Sequence, residues 1–257
     1  VPAVRRHPVV TFFVLTFAIA WAFVPFGSFG AFAPLIAALV VAPLAHGRAG
    51  LAELGRRLVR WRVRWYWYAL ALAVPIAVHV VAVVLGSPVV ASASVGTVLL
   101  AFAIRLVDPT DGPLGEEPGW RGFALPGMQA RLSPLAATAI LAVVITVWHL
   151  PLAFLAAGDP WSNLATIVVG TVAVTFWYTW LFDHTGGSVL LVVVAHAAEG
   201  AVQHEGLLYM VVWLAVAVVL VAVDLRAWLR PAPVAATTPS VSRPPAPATP
   251  PPAPRAR

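Results

Sequence analysis

The chain has no cysteine, which removes disulfides, thiolate nucleophiles and cysteine-ligated zinc from consideration. Lysine is missing too, since all 16 basic residues are arginine. Beside abundant Ala, Val and Pro, that bias has the look of a GC-rich bacterial genome. Charge of either sign is scarce, at 10% of 257 residues against about 25% in soluble domains. Together with 61% hydrophobic residues, this argues against a soluble core protein. No internal repeat is evident, which weighs against transporters built from inverted repeats.

What the chain does have is long apolar runs. A helix rises about 1.5 Å per residue and the hydrocarbon layer is roughly 30 Å thick, so a span needs about 20 mostly apolar residues. The sequence reads as an all-α, polytopic membrane helical bundle of about eight transmembrane helices. The segments fall at residues 9–24, 30–46, 66–86, 95–107, 134–156, 162–182, 187–203 and 207–229. The fourth is too short to span alone, and is expected to continue as a broken helix through the acidic segment that follows, covered by protein or a wet cavity.

Arginine placement sets the orientation, because short cytoplasmic loops carry the excess positive charge. Arg5, Arg6, Arg48, the cluster from Arg56 to Arg64, Arg121, Arg131, Arg226 and Arg230 fall on one side, whereas the loops near 25–29, 87–94, 157–161 and 204–206 hold none. Both termini are therefore expected in the cytoplasm of a bacterial plasma membrane. The first apolar stretch has no small-residue cleavage site after it and reads as a retained span. Residues 1–230 form the expected transmembrane domain, and 231–257, rich in Pro and Ala, an expected disordered cytoplasmic tail. Within 51–67, arginines alternate with Leu, Val and Trp, which suits a basic segment lying on anionic lipid; no nucleic-acid partner is expected.

The chemistry concentrates in Glu116-Glu117-Pro118-Gly119-Trp120-Arg121. A lone charged side chain at mid-membrane costs roughly 2.5 to 3.5 kcal/mol on insertion scales, so ionisable groups there default to a functional reading. On a helix Glu117 and Arg121 share a face, leaving Glu116 free beside Trp120. Pro118 suggests that this helix starts close by, with its positive dipole end favouring ionised carboxylates. His149 stands just before Pro151, which weakens the preceding turn and admits water, and His196 lies within a later apolar run. Singly, a membrane histidine is more often an interhelical hydrogen-bond partner. Two carboxylates, an arginine and two histidines from separate helices suggest a water-activating site or a metal site. Among the other ionisable groups, Arg105 reads as snorkelling or paired with Asp108, His79 as a packed helix contact, and Asp183 and His184 as boundary residues.

The run from Glu116 to Pro126 resembles the EExxxR motif of the CPBP family, the CAAX proteases and bacteriocin-processing (Abi) intramembrane proteases. Trp148-His149-Leu150-Pro151 looks like the second motif, FxxxH, and His196, after the turn Thr185-Gly186-Gly187-Ser188, like the third, HxxxN. The motifs match in order and spacing across about 95–205. The resemblance implies an eight-helix fold and peptide-bond hydrolysis within the membrane, on a membrane-associated protein or peptide. Glu116 would activate water with help from His149, Arg121 would orient Glu117, and His196 would polarise the scissile carbonyl. The family is often labelled metalloprotease, but no HExxH zinc signature is present, and no cofactor is required for a glutamate mechanism. Were a divalent ion such as zinc used, Glu116, His149 and His196 would hold it. The sequence departs from the motifs twice: Ile145 replaces the phenylalanine and Gly200 the asparagine. Loss of one oxyanion donor typically costs about 10²–10³ in rate. Glu199, Gln203 and Asn163 are candidates to replace it. A slow protease, a non-catalytic membrane immunity or scaffold protein that binds a peptide, and a proton-coupled transporter remain as alternatives.

Overall fold

The computed structural model describes residues 2–88, 94–202 and 206–232. Gln203, His204, Glu205 and nearly all of the tail lie outside the described residues. The elements are α1 (Pro2–Arg6), α2 (Pro8–Trp21), a 3₁₀ turn (Val24–Phe26), α3 (Ala33–Leu58), α4 (Trp65–Val84), α5 (Val95–Val107), α6 (Gly112–Gly119), a π-helical turn (Trp120–Ala124), α7 (Leu125–Gln129), α8 (Pro134–His149), α9 (Leu152–Leu155), α10 (Pro160–His184), α11 (Val189–Ala201), α12 (Leu207–Val223) and α13 (Leu225–Trp228). Among the described residues there is no strand. The all-α, polytopic bundle expected from the apolar runs is what the chain adopts.

Among the described residues, five helical segments are long and apolar enough to cross a membrane: Pro8–Phe26, Ala33–Leu58, Trp65–Val84, Pro134–Leu155 and Pro160–His184. The apolar helices α11 and α12 are shorter. Many Val, Leu and Ile side chains on the spans point outward, such as Val14, Val80 and Val143, as a lipid-facing surface requires. Small residues and aromatics are prominent in the interior, among them Ala37, Ala38, Trp120, Trp148, Trp177 and Trp213, beside buried Leu, Val and Ile such as Leu141, Val192 and Ile145.

Helix starts follow from local sequence. Ser133 before Pro134, Asp159 before Pro160 and Ser188 before Val189 each accept a backbone N–H of the first turn through the side chain. Within α3, Gly47 takes φ +63 and ψ −156, and the helix axis bends sharply there. The residues beyond the bend carry the basic cluster. Arg57 donates to the Gly122 carbonyl at 2.9 Å, and Arg60 donates to the Gly186 carbonyl. Two of these arginines thus fasten the bend to the π-helical turn and to the turn before α11. Arg56, Trp61 and Trp65 stay largely exposed.

The acidic segment corrects one expectation. The helix that carries Glu116 and Glu117 begins at Gly112, with Pro118 inside it rather than at its start. Asp111 is the N-cap, accepting from Gly112 N at 2.8 Å, and Pro113 occupies the first turn. The start signal therefore lies five or so residues earlier than Pro118 suggests. Pro118 has no N–H to give the preceding turn, and the chain widens into the π-helical turn directly after it. Glu116 and Glu117 consequently sit past the first turn, where the helix dipole has fallen off. The expected break in the fourth segment is present, but at residues 108–111, between α5 and α6.

Close approach of α6 to α3 rests on glycine. A Cβ at Gly119 would lie 2.6 Å from the Pro34 carbonyl carbon, and one at Gly115 would lie 2.9 Å from the Ala31 oxygen. No larger residue lets the two backbones meet. On its other side α6 packs against α11, which also contacts α4 and α5.

Candidate active site

The π-helical turn and α6 place Glu117 and Arg121 on one face, four residues apart. Arg121 Nη1 donates to both carboxylate oxygens of Glu117, at 3.2 and 3.1 Å, and both side chains are buried. Glu117 Oε1 also accepts from His196 Nδ1 at 2.8 Å, reaching across from α11. A carboxylate buried in apolar surroundings is tolerated only with such partners. Tyr178 of α10 stacks on the His196 ring at 5.1 Å between centroids, and the Arg121 guanidinium lies over the same tyrosine ring at 5.1 Å. Both carboxylate oxygens of Glu117 are thus engaged, whereas Arg121 Nε and Nη2 and the Tyr178 hydroxyl are buried without a hydrogen-bond partner.

Glu116 differs. It is buried, and its nearest cation-forming partner is His149 Nε2 at 3.9 Å from Oε1, too far for a direct hydrogen bond. His149 ends α8, and its Nδ1 lies 3.1 Å from the Ile145 carbonyl, so with Nδ1–H donating there Nε2 is bare toward Glu116. Phe29 stacks on the His149 ring at 6.1 Å. Beyond His149, Trp21 Nε1 donates to the Trp148 carbonyl at 3.0 Å, which satisfies one acceptor freed where Pro151 ends the helix.

Gly112 backs the space between the two halves. A Cβ there would lie 3.1 Å from Glu116 Oε1 and 3.2 Å from His196 Nε2, so these atoms face one small space. With Nδ1 given to Glu117, His196 presents Nε2 to that space. Glu116, Glu117, Arg121, His149 and His196 are thereby all brought together, from α6, the π-helical turn, α8 and α11.

Glu116, His149 and His196 are the residues that would hold a metal ion, Glu117 being occupied by Arg121 and His196.

Other sequence candidates fall elsewhere. Arg105 pairs with Asp111 at 3.2 Å, not with Asp108, whose carboxylate instead accepts from Thr110 N and Oγ1. Asn163 donates to the Ala153 and Ala157 carbonyls at 3.2 Å each and closes the loop before α10. Glu199 accepts from Tyr209 at 3.4 Å. His79 meets Tyr209 edge to face at 6.5 Å. His184 pairs with Asp224 at 2.9 Å and Asp183 with Arg230 at 3.2 Å, fastening α10 to the last helices. Tyr178 and Phe29 were not legible as site residues. Each is one aromatic among many, and only packing reveals which ring faces a histidine.

Fold and site together define a polytopic α-helical membrane protein in which two glutamates, an arginine and two histidines are gathered within the bundle. Residues 106–202 match the family model described as Rce1-like, type II CAAX prenyl endopeptidase Rce1-like. That is the CPBP and CAAX-protease family which the motifs resemble, and the match spans the segment holding all three. Among curated proteins, none matches the chain.

Proposed function

We propose that this protein is an intramembrane endopeptidase that hydrolyses a peptide bond in a membrane-associated protein or peptide, with no metal required. One observation carries the reading: Glu116, His149 and His196 are gathered from three helices, with Glu116 Oε1 3.9 Å from His149 Nε2 and the Gly112 backbone close to both Glu116 Oε1 and His196 Nε2. That separation leaves room for a water hydrogen-bonded to both groups. Glu116 takes a proton from this water as its oxygen attacks the scissile carbonyl carbon, and returns the proton to the departing amine nitrogen. His149 holds the water in line. His196, when its ring is doubly protonated, donates from Nε2 to the developing oxyanion, and Glu117 fixes the ring's orientation. Arg121 holds Glu117 in turn.

The chain sits in a bacterial plasma membrane in this reading, both termini cytoplasmic, with the exposed part of segment 51–67 resting on anionic lipid. The deciding experiment compares wild type with Glu116→Gln on a panel of transmembrane reporter peptides in proteoliposomes. Cleavage by wild type alone is expected; identical product profiles from the two would reject catalysis.

A second reading has one observation in its favour. Gly200 stands where the third motif has an asparagine, which suits a non-catalytic membrane immunity or scaffold protein binding a peptide in the same space. Peptide capture without turnover, unchanged in Glu116→Gln, is its signature.

A further inference from the structure

The asparagine of the third motif would stand at position 200, one helical turn beyond His196 and on the same face of α11. Of the candidates to replace it, Asn163 and Glu199 are engaged as described above, and Gln203 lies outside the described residues. The space itself is filled from a different helix. A Cβ at Gly200 would lie 2.8 Å from Cζ and 3.2 Å from Nε of Arg105, and closer still to Nη1. The guanidinium from α5 thus occupies the volume that an asparagine side chain would take.

We infer that Arg105 supplies the hydrogen-bond donor missing at Gly200, as a catalytic residue that stabilises the oxyanion beside His196; this rests on the protease reading above. Three observations support it. An asparagine amide and a guanidinium are both planar N–H donors, and the guanidinium also carries a permanent charge, which makes its hydrogen bonds to an anion about twice as strong. Asp111 Oδ2, 3.2 Å from Nη1, anchors the group while leaving most of its five N–H bonds free of that contact. Asp111 is also the residue before Gly112, which backs the space shared by Glu116 and His196. The Arg105–Asp111 pair is therefore built onto the rim of the same centre. Replacement of the asparagine by glycine and arrival of an arginine are two halves of one arrangement, since the missing side chain is what admits the guanidinium.

A mere brace between α5 and α6 would need only the ion pair with Asp111. The test separates the two roles with variants that all remove that pair. Full-length protein in proteoliposomes is assayed on a reporter peptide for which wild type is active and Glu116→Gln is not, with thermal unfolding recorded for each variant. Arg105→Leu, which has no donor, is expected to lower kcat about 10²-fold with KM little changed. Arg105→Gln, which keeps an amide, is expected to stay within about tenfold of wild type. Adding Gly200→Asn to Arg105→Leu is expected to recover kcat at least about tenfold, since the space is then open to the amide. Equal losses for Gln and Leu, or no recovery from Gly200→Asn in protein of unchanged unfolding temperature, would overturn the inference while leaving the protease reading intact. An inactive wild type would remove both.

Discussion

The two adjacent glutamates have opposite environments, and their variants should fail in opposite ways. Glu117 accepts from Arg121 and His196 and is wholly buried, so Glu117→Gln strands a guanidinium in the bundle interior. Breaking a buried pair from one side costs about 3–5 kcal/mol. SDS-titration unfolding should show that loss. Glu116 makes no contact of that strength, so Glu116→Gln should abolish cleavage while changing stability by about 1 kcal/mol or less. If Glu116→Gln unfolds as readily as Glu117→Gln, the division of labour between the two carboxylates is wrong. Chelation belongs at this scale too. Exhaustive treatment of the purified protein should leave cleavage unchanged, whereas complete loss restored by zinc would place the water on a metal. Of this site, the Glu117–Arg121 pair was legible because four-residue spacing dictates it. That His196 also serves Glu117 was not, because the partner of a residue 79 positions away is chosen by helix packing.

At the scale of elements, the segment from Gly112 to Gln129 holds the acidic motif by pressing against α3. Glycine at 119 faces backbone, whereas glycine at 122 faces the flexible Leu54 side chain, 2.7 Å from its Cδ1. Gly119→Ala should therefore cost about 1–3 kcal/mol through overpacking, and displace Glu116 enough to lower activity as well. Gly122→Ala should cost less, because Leu54 can change rotamer. Equal destabilisation in an unfolding assay would mean that α6 and α3 are not held by the contact at Pro34. The start of this helix shows how a correct signal can be read at the wrong place. Proline in a first turn is a sound rule, but the segment contains both Pro113 and Pro118, and only the earlier one has a capping aspartate directly before its turn. The π-helical turn has no propensity signature in the sequence of Trp120–Ala124; it follows directly on Pro118, which lacks the N–H that a helix interior needs.

For the whole molecule, orientation is the testable property. Because the chain has no cysteine of its own, single introduced cysteines report sidedness without background. Arg62→Cys and Ala157→Cys, both at exposed positions, should react with a membrane-impermeant maleimide from opposite sides, Arg62→Cys from the cytoplasm. Labelling of both from one side would break the arginine-based topology. The bundle as a class was legible from composition, since apolar runs of that length have no other stable use and few charges are available to contradict them.

The amino-acid sequence by itself determined the solvent and the helical class and singled out the candidate site residues, because burying charge in hydrocarbon is so costly that each ionisable residue in an apolar run marks itself. Tertiary structure alone decided which of those groups touch. Whether Arg105 meets Asp108 or Asp111, and that it fills the space left by Gly200, depends on how closely α5, α6 and α11 approach, and such distances are set by side-chain volumes summed across helices far apart in the chain.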